Sequence, residues 1–247
     1  MRFQFRAKAN YHTHTTFCDG VNTPEEMVQE ALRLGCWGIG FSGHSYTPFD
    51  ESCCMSREGT KEYKACIRAL QKKYAGKIDI ALGVEQDYYS EEPTTDYDYI
   101  IGAVHYVKKG REYLPVDESA EKQIEIVNKY YNGDFYSFVE DYYRNVADLY
   151  NQTGCDIVGH FDLITKFNEG CALFDTNHPR YRDAAEWALE ELTMSPVIFE
   201  INTGAMARGY RTEPYPEKRI IGMLLRYGIM VMKNSDAHCK EDLMFGL

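Results

Sequence analysis

The chain has 247 residues, 44% of them apolar, and carries a formal net charge of −11. That balance excludes a protein that grips nucleic acid through a basic face, and no apolar run approaches the ~18 residues that a membrane span needs. Eight cysteines form no CxxC pair, and residues 1–10 hold no apolar run of the signal-peptide kind, so a cytoplasmic protein with reduced thiols is expected.

Short apolar runs alternate with amphipathic stretches along the chain. Candidate strands fall at about 9–14, 37–43, 78–84, 97–106, 155–160, 196–202 and 228–235. Cys36 to Phe41 and Ile229 to Met232 read as buried on both faces, as parallel strands are. Thr23-Pro24-Glu25-Glu26 is a helix start, with Thr as cap, Pro at the first helical position and Glu at the third. That helix runs to Gly35. Further helices are predicted at about 57–75, 118–131, 134–153, 179–193 and 216–227. Repeated strand–helix units predict a parallel sheet. No linker, repeat or low-complexity tract interrupts them, so one domain is expected over 1–247. The polar segment 106–117 carries Lys108, Lys109 and Arg111. It reads either as a solvated hairpin or as a lid that brings these charges to an anionic substrate.

The strand ends carry the chemistry. They read His12-Thr13-His14, His44, Glu85, His105, His160, Asn202-Thr203 and Asp236-Ala237-His238. Six of the seven supply His, Asp or Glu, and these positions take six of the chain's seven histidines. In an open sheet such ends lie along a wide edge; in a closed barrel they converge on one rim. No glycine-rich phosphate loop follows the first strand, which also disfavours a doubly wound sheet. Residues two apart on a strand share a face, so His12 and His14 can hold one ion. Asp19-Gly20 reads as a turn whose carboxylate either caps it or joins the ligands. The remaining histidine, His178, precedes a helix start and is expected at the surface.

The series HTHTTFCDG, FSGHS, GVEQD, GAVHYV, VGHFDLI and NSDAH resembles the motif set of the PHP (polymerase and histidinol phosphatase) family over essentially the whole chain. GHFDLITKFN and EINTGAMARGYRTEPYP are similar to its histidinol-phosphate phosphatase branch. The resemblance implies a distorted (β/α)7 TIM-like barrel with a metal site at the C-terminal ends of the strands. It implies three divalent ions. His12, His14, Glu85 and Asp236 would hold the first, and Glu85, His105 and His160 the second, with Glu85 bridging. Asp19, His44 and His238 would hold the third. Members of the family usually continue past Leu247 with another helix.

Imidazoles mixed with carboxylates suit Zn, Mn or Fe better than Ca or Mg. Three divalent ions against three carboxylates leave a positive surplus that can bind a phosphate dianion inside an acidic protein. The implied reaction is hydrolysis of L-histidinol phosphate, in histidine biosynthesis, by a hydroxide bridging two ions, with Glu85, Asp236 and His238 at the chemistry. Asp236 or His238 is the candidate proton donor to the leaving group. The alternatives are a phosphatase for another small phosphate ester, or a nuclease.

Three residues are candidates for the substrate. Arg208, after the sixth strand, offers the two-pronged donor that fits a phosphoryl group, with Arg211 as the fallback. Lys166 offers a point charge. Asp162 shares the inward spacing of His160 and either binds the substrate's amine or imidazole or caps the following turn. Glu200, Asn202 and Thr203 are placed inside the barrel, either orienting the ligands or bonding one another. Cys18 and Cys239 flank ligands closely, and either are incidental or make the site sensitive to oxidation.

Overall fold

The computed structural model describes residues 3–247. Seven parallel strands form one sheet in the order β1 (Ala9–Asn10), β2 (Gly38–Phe41), β3 (Asp79–Asp87), β4 (Tyr99–Ala103), β7 (Ile157–Val158), β8 (Ile198–Asn202) and β9 (Val231–Asn234). The sheet curls into a nearly closed barrel. At its upper rim a parallel bridge joins Thr13 to Ala237, with the His14 amide donating to the Ala237 carbonyl at 2.8 Å and the Ala237 amide to His12 at 3.1 Å. Lower down, the Tyr11 amide donates to the Asn234 side chain at 2.9 Å in place of a backbone partner.

The strand pattern follows from which face each side chain covers. Ile80, Leu82, Ile100, Val158 and Phe199 pack outward in one cluster with helix residues such as Ile67, Phe138, Tyr181 and Leu224. Ala81, Tyr99, Ile101, Ile157 and Ile198 alternate with them and form a second cluster with Tyr11, with Phe3 and Phe5 packed below. This is the layered filling of a small barrel. Glycine makes room for one of its two tyrosines: a Cβ on Gly83 would lie 2.3 Å from the Tyr99 ring. The Tyr99 hydroxyl donates to the Tyr11 and Phe41 carbonyls at 2.5 and 3.2 Å. The inward positions after Gly83 on β3 are Glu85 and Asp87, so the polar site begins directly above this aromatic plug.

Helix α1 (Pro24–Arg33) has the predicted capping box, with Thr23 and Glu26 bonded reciprocally, and buries Met27, Val28 and Ala31. Helices α2 (Arg57–Lys73), α3 (Ala120–Tyr130), α6 (Pro179–Thr193) and α8 (Lys218–Arg226) lie close to their expected bounds. The helix expected at 134–153 is two, α4 (Phe135–Ala147) and α5 (Leu149–Thr153), because Asp148 leaves helical geometry at φ −92° and ψ 2°. A short helix, α7 (Gly204–Ala207), follows β8. Segment 106–117 is a two-stranded antiparallel hairpin, β5 (Tyr106–Lys109) and β6 (Glu112–Pro115). Its cations are turned elsewhere: Lys109 bonds Asp141 at 2.8 Å and Lys108 bonds the Tyr113 hydroxyl at 3.0 Å. The expectation of burial on both faces holds from Gly38 to Phe41 but fails at Trp37, which is exposed, and along residues 229–232, where Met230 is exposed and Ile229, Val231 and Met232 are half-buried. Among the described residues no helix is long and apolar enough to cross a membrane.

Candidate metal centre

All nine predicted ligands meet on the rim, in four overlapping groups of mutually close donor atoms. These are His14, Asp19, His44 and His238; His12, Glu85 and His160; His12, His14 and Asp236; and His44, Glu85 and His105. Each arrives by its own local route. His12 and His14 follow β1. A tight turn brings Asp19 back over them, and only glycine permits it: a Cβ on Gly20 would lie 2.4 Å from the Thr15 amide nitrogen. His44 follows β2 and bridges to Glu85 on β3. His105 follows β4 and His160 follows β7. Asp236 follows β9 with a φ of 48°, a left-handed conformation that Asp tolerates better than most residues.

Glu85 is the hub. Its Oε1 lies 2.8 Å from His160 Nε2 and 3.4 Å from His105 Nε2. Its Oε2 lies 2.9 Å from His44 Nδ1, 3.3 Å from His12 Nε2 and 3.5 Å from His14 Nε2. Asp236 Oδ1 lies 3.2 Å from His14 Nε2 and 3.5 Å from His12 Nε2. Asp19 Oδ2 lies 3.2 Å from His238 Nε2 and 3.6 Å from His44 Nε2. His12 Nε2, His14 Nε2 and Glu85 Oε2 are buried with no hydrogen-bond partner. Buried polar atoms are nearly always satisfied. Three orphaned ligand atoms, two from the end of β1 and one from β3, therefore fit a cation held between them.

Electrostatics agree. Burial alone would push the His12 imidazole down, but Glu200, Asp236 and Glu85 outweigh it and raise it to about 10. His105 is also driven down by burial and raised on balance to about 10 by Glu85 and Asp87. Burial works to raise Glu85 and Asp236, yet the surrounding imidazoles hold both well below the usual carboxylate range. Ligands of this kind exchange protons for metal.

A supporting shell fixes the rings. Glu200 accepts from His12 Nδ1 at 2.8 Å and from the His160 amide at 3.0 Å. Asn202 and Asn234 donate to the same carboxylate at 2.8 and 2.9 Å. Asp87 lies 3.1 Å from His105 Nδ1. Sequence reasoning passed over Asp87, although its place in GVEQD, two residues beyond Glu85 on the same face of β3, was the available signal. Cys18 Sγ sits 3.5 Å from His14 Nδ1, while Cys239 bonds Asp242 instead.

A cavity of about 270 Å³ opens over this centre and is lined by Arg208 and Lys166. Arg208 Nη1 lies 2.8 Å from His238 Nδ1, and Nη2 donates to Asp236 Oδ2 at 3.1 Å. Lys166 Nζ bonds the Asp117 carbonyl at 2.9 Å. Asp162 and Arg211 are not brought into the cavity wall. Asp162 is fully buried and accepts from the Glu217 amide at 2.8 Å; burial pushes its carboxyl up to about 7 despite Arg211. It anchors the chain before α8, and Arg211 bonds Thr165. His178 caps α6, its Nδ1 accepting from the Arg180 amide at 3.2 Å, and stacks on Tyr136. Sequence reasoning also passed over Asp117, after the hairpin, and Tyr210 and Tyr215, both in the loop between α7 and α8, which line the cavity.

The PHP domain family profile matches residues 10–204. A probable histidinol-phosphatase of Deinococcus radiodurans is 31% identical over 95% of this chain and 87% of its own length. One of Schizosaccharomyces pombe is 28% identical over 92% and 79%. Among solved structures, hisK of Listeria monocytogenes superposes with a TM-score of 0.81 at 21% identity, covering 97% of this chain and 98% of its own. The histidinol phosphate phosphatase of Lactococcus lactis, solved with zinc, L-histidinol and phosphate, gives 0.69 at 20% identity over 94% and 87%. From the match along the chain and the relatives that span it, the chain belongs to the PHP domain family.

Proposed function

We propose that the chain is a metal-dependent phosphomonoesterase that converts L-histidinol phosphate and water to L-histidinol and phosphate, a step of histidine biosynthesis. The observation that carries this reading is the convergence of His12, His14 and Glu85, with unpartnered buried ligand atoms, beside a cavity that Glu85 lines together with Arg208. The names of the relatives and the zinc, histidinol and phosphate of the Lactococcus lactis complex supply the substrate. The eight free thiols suit a reducing cytoplasm.

Three divalent ions fit the ligand count. His12, His14 and Asp236 would hold one, with Glu85 Oε2 turned toward it, and His105, His160 and Glu85 Oε1 a second. Asp19, His44 and His238 would hold the third, with His12, His14 and His44 each within reach of two positions. His-rich sets favour Zn, Mn or Fe. Bound ions supply positive charge to the phosphoryl oxygens and lower the pKa of water.

The protein's own groups do the rest. Arg208 faces the cavity and can direct its guanidinium to the phosphoryl oxygens, where charge-assisted bonds are strong. Its contact with His238 depends on tautomer. An Nδ1 that accepts takes Arg208, whereas an Nδ1–H donates to the Asp236 carbonyl, 3.0 Å away. Holding a metal ion at Nε2 requires the second arrangement, in which Arg208 Nη1 keeps its own bond to the Asp236 carbonyl at 3.0 Å. Asp236 and His238 border both Arg208 and the centre, so either can return a proton to the leaving alkoxide. Lys166 is committed to Asp117 and shapes the wall.

Elemental analysis of the purified protein, paired with phosphate release from a panel of phosphate esters, tests this reading. At least two equivalents of metal and preference for histidinol phosphate are expected. Fewer, with no recovery on adding Mn or Zn, would overturn the metal assignment. Preference for another small ester would overturn the substrate, and digestion of labelled single-stranded DNA would move the protein to the nucleases.

A further inference from the structure

Two groups of the cavity wall keep hydrogen-bonding capacity unused. Tyr215 is 1% exposed and lines the cavity, yet its hydroxyl has no hydrogen-bond partner. The residue is not loosely placed. Its amide and carbonyl pair with Asn202 at 2.9 and 2.8 Å, and the Arg211 guanidinium lies over its ring at 4.7 Å. A buried hydroxyl held rigidly without a partner is destabilising, unless the partner arrives with a ligand.

Asp117 is the second group. Apart from the nine ligands, the carboxylates lining the cavity are Asp87 and Asp117. Asp87 is occupied: Oδ2 accepts from the His105 amide and faces its ring, while Oδ1 accepts from the Tyr89 amide at 2.8 Å. Asp117 keeps an oxygen in reserve. Lys166 Nζ makes its shorter contact with the Asp117 carbonyl, at 2.9 Å, and lies 3.3 Å from Oδ2; Oδ1 takes no hydrogen bond among the described residues. The base of the hairpin is tied down by the Val116 amide donating to the His105 carbonyl at 2.9 Å. The carboxylate is therefore fixed relative to the centre.

We propose that Asp117 and Tyr215 form the subsite for the leaving alcohol, Asp117 Oδ1 taking a protonated amine and Tyr215 Oη donating to a ring nitrogen. The substrate class is then the phosphate monoesters of amino alcohols that carry a hydrogen-bond acceptor. Lys166 is a positioning residue that turns Oδ1 toward the cavity. This assignment rests on the phosphomonoesterase reading and makes it specific.

The test compares kcat/KM for L-histidinol phosphate with that for its desamino analogue, 3-(imidazol-4-yl)propyl phosphate, and for propyl phosphate. The wild-type protein should prefer the amine by roughly 10- to 100-fold, the scale of one charged hydrogen bond. Asp117→Asn, and Asp117→Ser as a second variant, should cut that preference to within about threefold. Tyr215→Phe should narrow the gap between the two imidazole esters and propyl phosphate. Metal content and thermal unfolding of each variant show that the site is still assembled. An unchanged amine preference in both Asp117 variants overturns the assignment, as does a wild-type protein that takes both imidazole esters equally. Wild-type protein that cleaves other phosphate esters but neither imidazole ester would bring down the histidinol-phosphate reading, and this inference with it.

Discussion

Glu200 Oε1 stands 2.8 Å from His12 Nδ1, with both side chains fully buried. The contact places a proton on Nδ1 and leaves Nε2 aimed at Glu85 and Asp236. Burial would raise the Glu200 carboxyl, but His12 pulls it below its ordinary value, so it acts as an ionised acceptor. Glu200→Gln keeps the shape and weakens that acceptor. Metal affinity, measured by competition with a chelator, should fall by roughly 10- to 100-fold, the usual cost of losing such a supporting carboxylate. Wild-type affinity in the variant would show that Glu200 serves the barrel interior alone.

Arg208 reaches both Asp236 and His238, so it is either a tether for ligands or a grip on phosphate. The two roles separate experimentally. If it grips phosphate, Arg208→Ala should lower kcat/KM by about 100-fold or more, in the range seen when one such donor is removed. It should also weaken product inhibition by inorganic phosphate. Arg208→Lys should recover only part of this, because an ammonium lacks the paired donors. A variant with reduced metal content and an unaltered inhibition constant for phosphate would identify a tether.

Legibility in the sequence follows sequence distance. Strand-end ligands such as His12, Glu85 and His160 were visible because apolar runs mark the strands and each ligand ends one. The pair His12 and His14 needed only the two-residue repeat. What was hidden depends on segments far apart in the chain. Asp162 shares the spacing of an inward pair with His160, but the chain turns into a short 3-10 helix at Leu163–Thr165, and the carboxylate is carried away from the cavity to the Glu217 amide. Lys166 is a cation in a site expected to bind phosphate, yet Asp117, some fifty positions earlier, takes it. Nothing local in YVKKGREYLPVD says that its lysines face Asp141 and Tyr113 while its last residue faces the site.

Protonation gives an opposite pH signature to the metal-free and metal-loaded protein. His12 and His105 are raised to about 10 in the folded chain, against an ordinary value near 6.5. A group raised on folding contributes stability that is complete below its unfolded pKa and lost as pH rises through the folded one. Metal-free protein should therefore lose stability between about pH 6.5 and 10. Metal binding must displace the same protons, so affinity should rise over that window. Chemical unfolding with and without chelator at several pH values checks both trends. A metal-free protein that gains stability across the window would show that these imidazoles are neutral in the fold.

The aromatic plug beneath the site sets the last expectation. A methyl group at Gly83 would meet the Tyr99 ring at 2.3 Å, and the ring cannot withdraw, because it is buried and its hydroxyl is bonded to two carbonyls. Gly83→Ala should therefore destabilise by about 1–3 kcal/mol, the usual cost of overpacking, or roughly 2–4 °C in Tm per kcal/mol for a chain of this size. Metal affinity should drop with it, since Glu85 stands two residues further along the same face. Gly222 provides the contrast. It lies in α8, where a Cβ would meet only the end of Arg226 at 3.6 Å, so Gly222→Ala should stabilise by about 0.5–1 kcal/mol. Thermal unfolding of both variants, with metal saturating and then removed, should give shifts of opposite sign, and the Gly83 variant alone should show a smaller stabilisation by metal. If Gly83→Ala matched the wild type in both states, the Tyr99 plug would not be the rigid floor on which Glu85 is set.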